Sequence, residues 1–94
     1  MNRKTILDLA KKTICKDRQD THGDPEDNFA CIGRLWSEYT GIKIDAKDVA
    51  VMMILMKVAR IKTGKYHADN YIDIAGYAAC GGEVAEKIED KKYE

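Results

Sequence analysis

The chain has little of what would announce a chemistry at once. It carries no net charge, with 16 Lys and Arg against 16 Asp and Glu, so no global field favours non-specific nucleic-acid binding or an anionic membrane surface. Any anion site must be local. Three cysteines, Cys15, Cys31 and Cys80, are odd in number and far apart, with no CxxC or paired Cys/His spacing. That argues against a disulfide framework or a structural zinc site and for free thiols in a reducing compartment. The longest apolar run, Val49 to Met56, is far shorter than the roughly 20 residues that span a bilayer. The opening Met-Asn-Arg-Lys-Thr-Ile-Leu-Asp has no apolar signal-peptide core, so an intracellular protein is expected. No Walker or dinucleotide glycine motif occurs and no nucleophile has a base beside it, which sets aside kinase, dehydrogenase and acyl-transfer chemistry.

What is there is helical patterning. The 94 residues suit one domain, and a composition 45% hydrophobic and 34% charged is that of a folded chain rather than a disordered one. Ile6, Leu9, Ala10, Thr13 and Ile14 follow helical spacing after Thr5, the expected N-cap, with Asp8 three residues on. Lys16 to Pro25 reads as an ordered polar loop punctuated by Gly23 and the single proline. Asp24 before Pro25 signals a helix start, because aspartate caps and proline at the first helical position loses no needed N–H. The second helix is expected over Pro25–Tyr39, with Phe29, Ile32, Leu35, Trp36 and Tyr39 on one face and Gly41 as its stop.

Asp45 and Asp48 stand in capping-box spacing ahead of a third helix running to about Lys62 and ending near Gly64. Positions 49 to 56 are apolar all round, which predicts a central helix enclosed by its neighbours or by another subunit. The fourth helix is expected from about Ala68 to Ile88, with Ile74, Ala78, Gly81, Ala85 and Ile88 along one side and residues 89–94 as a frayed charged tail. Gly76, Gly81 and Gly82 fall inside it, each costing about 1 kcal/mol against alanine. Close helix approach, some of it between subunits, would offset that cost. No strand pattern of similar strength exists. The expected fold is all-α, one domain over residues 1–94, a compact bundle of about four helices assembled into a helical homo-oligomer.

The chemistry is concentrated around one helical hairpin. Lys57 and Arg60 are three apart at the end of the third helix, and Asp69 and Asp73 are four apart at the start of the fourth, so each pair shares a face. One reading pairs Asp73 with Lys57 or Arg60 across the hairpin, fixing its register. The other lets Lys57 and Arg60 neutralise a phosphate while Asp69 and Asp73, with a carboxylate from Asp24, Glu26 or Asp27, hold a magnesium ion. The loop Arg18 to Asn28 is a second candidate, with Arg18 for phosphate, His22 as donor or proton carrier and Asn28 to read a base edge. Its alternative is a capping and turn motif with solvated charges. His67 could cap the fourth helix or donate to a ligand. Trp36, Tyr39, Tyr71 and Tyr77 could stack a base, though at helical spacing aromatics are more often core or interface. Met52, Met53 and Met56 read as core packing.

The strings from Asp17 and Arg18 through His22-Gly23-Asp24-Pro25-Glu26-Asp27-Asn28-Phe29, then Lys57-Val58-Ala59-Arg60, then His67-Ala68-Asp69-Asn70-Tyr71-Ile72-Asp73-Ile74-Ala75-Gly76-Tyr77, resemble a family of short tailed-phage and prophage proteins with no assigned function. The resemblance covers almost the whole chain and implies a cytoplasmic protein of an infected bacterial host. More distantly, the layout is similar to the MazG-like all-α nucleoside triphosphate pyrophosphohydrolases, whose ExxE and ExxD helices hold magnesium against a triphosphate. Here Asp69 and Asp73 are four apart rather than three, and Lys57 and Arg60 stand where carboxylates would be. Three functions follow as expectations: a nucleotide or phosphate binder using Arg18, His22, Asn28, Lys57, Arg60, His67 and Tyr77; a magnesium-dependent pyrophosphohydrolase using Asp69 and Asp73; or an oligomeric protein-interaction module.

Overall fold

The computed structural model describes residues 1–17 and 25–93, and these fold into four α-helices. They are α1 (Arg3–Lys12), α2 (Pro25–Thr40), α3 (Ala46–Thr63) and α4 (Ala68–Lys91), with a π-helical turn over Thr13–Asp17 continuing α1. No strand occurs among the described residues. The loop expected over Lys16 to Pro25 falls mostly outside them, as do the Asp24 cap and the Gly23 turn.

Helix α1 starts earlier than its spacing suggests, because Asn2 supplies the cap that was assigned to Thr5. The Asn2 side-chain oxygen accepts from the Thr5 backbone N–H at 2.9 Å and from the Thr5 hydroxyl at 3.0 Å. Thr5 is thus the capped residue and not the cap. The α3 cap agrees with its spacing: the Asp48 N–H donates to Asp45 at 2.9 Å and the Asp45 N–H donates to Asp48 at 3.1 Å. That reciprocal pair satisfies two otherwise orphaned N–H groups. Between α2 and α3, Gly41 takes φ +73°, a left-handed conformation that glycine adopts without a steric penalty.

The segment after Gly41 lies directly on α2. A Cβ at Gly33 would meet the Ile44 carbonyl oxygen at 2.7 Å. Beside it, the Ser37 hydroxyl donates to the Gly33 carbonyl at 2.7 Å and accepts from the Ile44 N–H at 2.7 Å. The loop is therefore clasped to the helix by one side chain.

Phe29 and Val49 are fully buried at the centre, joined by Ala46, Ala50, Cys80 and Val84, with Ile14, Ile32, Trp36 and Tyr77 packed around them. The apolar face of α2 is narrower than its pattern implied. Phe29, Ile32 and Trp36 face the core, whereas Leu35 is 64% and Tyr39 92% exposed. Among the described residues only α3, α4 and the loop clasp lie against α2, and none of them covers the edge of its stripe.

Helix α4 also buries a different face from the expected one. Ile72, Gly76, Cys80 and Val84 are its buried positions, while Ala78 is exposed. The reason is that α4 packs on two sides: α1 and its π-helical turn lie against it, the turn at Gly76, where a Cβ would meet Ile14 at 3.0 Å, and α3 crosses it at Gly81, where a Cβ would meet the Ala50 Cβ at 2.8 Å. Both close approaches are made within one chain. The helix runs on to Lys91, with Lys92 bound to Glu89 at 3.2 Å, so the tail expected to fray from residue 89 is helical for one more turn. Among the described residues no helix is long and apolar enough to cross a membrane.

Candidate functional site

The turn between α3 and α4 makes the site. Helix α3 ends at Gly64, whose N–H donates to the Arg60 carbonyl at 3.0 Å, and α4 restarts at Ala68 after only four residues. This brings the last turns of α3 against the first turns of α4. Lys57 Nζ lies 2.8 Å from the Asp73 carboxylate. Lys57 is the one buried charged residue among the described residues, 8% exposed, while the Asp73 side chain keeps 33% of its surface in solvent. A buried ammonium requires such a partner.

Above this pair opens a cavity of about 430 Å³. Lys57, Arg60, His67, Asp69 and Asp73 all line it. Thr63, Gly64, Lys65 and Asn70 complete the wall. Lys65 and Asn70 carry chemistry that charge spacing on the helices did not single out. Lys65 lies in the turn, outside any helical face, and Asn70 is a buried amide one residue beyond Asp69. The signal that could have found them is their place inside a short turn between two charged helix ends.

Among the described residues, neither Arg60, Lys65 nor Asp69 belongs to an ion pair. With Lys57 neutralised by Asp73, the wall presents two further cations and one further carboxylate. It has a local positive excess on a chain of zero net charge. His67 is the N-cap residue of α4, but its imidazole makes no capping bond; only its backbone carbonyl serves, accepting from the Asn70 N–H at 3.2 Å. Tyr66 and Tyr71, with ring centres 6.2 Å apart, flank a smaller adjoining recess that His67 and Lys65 also line.

Other expected site residues lie elsewhere. Tyr77 packs into the core with its ring 6.3 Å from that of Phe29, and it lines a separate small crevice under the π-helical turn that follows α1. Asn28 is half-buried in the first turn of α2. Arg18 and His22 lie outside the described residues. Asp69 and Asp73 share the cavity, yet no group of three carboxylate, histidine or cysteine side chains placed to hold a metal ion occurs among the described residues. Asp27, one of the three residues expected to offer a third ligand, is exposed on α2.

A second, larger groove of about 670 Å³ opens near the other end of the α3–α4 pair, between the middle of α2, the α2–α3 loop and the end of α4. Its floor includes Ile44, Val84 and Ile88, and its rim carries Arg34 and Lys43 beside Glu38 and Asp45. With Lys91 also on the wall, three cations face two carboxylates there, the same excess of one as at the α3–α4 turn, but no aromatic side chain among the described residues lines this groove.

Comparison with known proteins gives relatives of the chain without giving it a chemistry. It is 42% identical over 83 residues to the Gene 55 protein of Mycobacterium phage D29, covering 88% of this chain and 55% of that protein. It is likewise 42% identical over 93 residues to the Gene 55 protein of Mycobacterium phage L5, covering 95% of this chain and 57% of that protein. The chain thus spans a little over half the length of these relatives. No solved structure matches it. Residues 5–85, which hold α3, α4 as far as Ala85 and every wall of their cavity, match the family described as a domain of unknown function, DUF6378, and the chain belongs to that family.

Proposed function

We propose that this chain is a phage-encoded accessory protein that binds a nucleotide, or another ligand bearing a phosphate, in the cavity at the α3–α4 turn. The observation that carries the reading is the meeting, at one turn, of two tyrosine rings with cations outside any described ion pair. Arg60 and Lys65 line the cavity without ion-pair partners among the described residues, while the deeper Lys57 is already satisfied by Asp73. Arginine can grip a phosphate through two parallel hydrogen bonds, and Lys65 adds a mobile point charge. Tyr66 and Tyr71 beside the cavity offer a flat apolar surface for a base. The similarity to two phage proteins supports the setting, an infected bacterial cytoplasm.

Binding without turnover is favoured over hydrolysis because of Asp73. A magnesium ion held by Asp69 and Asp73 would compete with Lys57 for a carboxylate oxygen 2.8 Å from its ammonium. Losing that contact would leave a buried lysine unpaired, which costs about 2 kcal/mol with Asp73 one-third exposed. Asp73 is thus better suited to holding the hairpin than to ligating a metal.

Calorimetric titration and thermal shift against nucleoside mono-, di- and triphosphates and inorganic pyrophosphate, with and without magnesium, test this. At least one should bind, and Arg60→Ala should weaken it about 10- to 100-fold, the loss of a charge-assisted bond or two. Mass spectrometry of the recovered ligand should find it unchanged. Magnesium-dependent pyrophosphate release abolished in Asp69→Asn would establish the hydrolase instead, and no thermal shift with any of these ligands would end the phosphate reading.

A further inference from the structure

Over residues 49–56 helix α3 is apolar around its whole circumference, but the bundle covers only part of it. Val51, Met52, Leu55 and Val58 are 50%, 41%, 60% and 46% exposed. With Ala59, they form one continuous stripe, spanning about 120° of the helix at 100° per residue. The spacing Val51, Leu55, Val58 alternates four and three, the seam of a coiled coil. Such a stripe is uncommon on an isolated soluble domain.

The stripe has charged ends of opposite sign: Asp48, whose carboxylate also meets Lys47 at 3.3 Å but stays 42% exposed, and Lys62, which belongs to no ion pair among the described residues. The same alternation extended outward reaches Asp48 on the N-terminal side and Lys62 on the C-terminal side, each seven residues from Leu55. Two copies laid antiparallel about Leu55 set Asp48 of each against Lys62 of the other. The same symmetry sets Val51 opposite Ala59 and Met52 opposite Val58. A parallel pairing would instead oppose Asp48 to Asp48 and Lys62 to Lys62. Charge complementarity therefore selects a second copy of the chain, and it selects the orientation.

We infer that the exposed stripe of α3 is the seam of an antiparallel homodimer whose two-fold axis passes close to Leu55. Lys57 and Arg60 project from the opposite side of α3, toward α4 and the cavity, so pairing leaves the cavity open and does not rest on what it binds. Four large side chains per copy are a small seam beside the about 800 Å² per partner of a standard interface, which makes the dimer concentration-dependent.

Sedimentation velocity on the full chain from about 10 μM to about 1 mM, the range in which a weak interface assembles, should show the monomer–dimer shift. Leu55→Lys should hold the chain monomeric throughout with an unchanged helical circular-dichroism spectrum. In a Cys15→Ser/Cys31→Ser background, which removes the two exposed thiols, chains carrying Val51→Cys and chains carrying Ala59→Cys should cross-link when mixed and not when kept apart. A monomer at every concentration overturns the inference. So does a dimer indifferent to Leu55→Lys, or cross-linking of Val51→Cys chains with themselves.

Discussion

At Ala50 and at Lys57, about 10 Å apart along α3, the same two helices meet in opposite ways. At the first, a glycine on α4 lets the backbones close until no side chain separates Ala50 from Gly81. At the second, an ammonium and a carboxylate bridge the gap at 2.8 Å, and a polar cavity opens beside them. The dry contact gives attraction through area and close packing, and it tolerates no added atom. The charged contact gives register, because a slip of one residue would bury an unpaired lysine. A hairpin so built is rigid at one end and chemically addressable at the other.

Enlarging the dry contact should do the most damage. Gly81→Leu forces a branched side chain into a space where even a Cβ stands 2.8 Å from Ala50. Overpacking of this kind costs about 3 kcal/mol, or about 12–24 °C of melting temperature in a domain this size. If the variant melts like the wild type, the helices are not held at the distance described. The charged contact should break asymmetrically. Asp73→Ala strands a buried ammonium and should cost about 2 kcal/mol, less than a fully buried pair because Asp73 is one-third exposed. Lys57→Met fills the same space without charge and leaves Asp73 able to turn to water, so it should cost under about 1 kcal/mol. Equal losses in urea denaturation would mean that the pair contributes energy rather than register.

A smaller effect lies at the start of α3, on the dry side. Asp45→Ala removes half of the capping box and should cost about 1 kcal/mol. The Asp48 carboxyl is held below its ordinary value of 3.8, chiefly by the Asp45 backbone N–H, with Lys47 adding to the effect and burial opposing it. Its folded form therefore gives up its proton more readily than the unfolded chain does. The stability it adds is complete above the ordinary value and is lost as pH falls through the lowered one. Urea midpoints measured from about pH 5 to about pH 3 should fall less steeply in Asp48→Asn than in the wild type.

The sequence made some of these features legible and not others, for physical reasons. Helix boundaries set by local chemistry could be read: Pro25 opens α2, Asp45 and Asp48 cap α3, and Gly41 takes the left-handed turn. The faces could not, because burial depends on how many neighbours a helix acquires. Tyr39 and Leu35 match the periodicity of Phe29 but no described element covers them, and α4 is pressed on two sides, so its buried set follows neither side's spacing alone. At the site, the pairing of opposite charges across the hairpin was readable from spacing, while the choice of Lys57 over Arg60 for Asp73 was not. Both cations suit the helical register, and only the crossing of the two helices decides between them. Lys65 and Asn70 escaped because a turn carries no periodicity.

The Ser37 clasp gives the loop between α2 and α3 an unusual kinetic character. The Ile44 amide belongs to no helix, yet its proton is held at 2.7 Å by a hydroxyl that is itself anchored to the Gly33 carbonyl. In deuterated water that amide should exchange on the timescale of the helix interiors rather than with neighbouring loop positions. It would then act as a single-residue clock for the bundle, reporting each time α2 and α3 come apart.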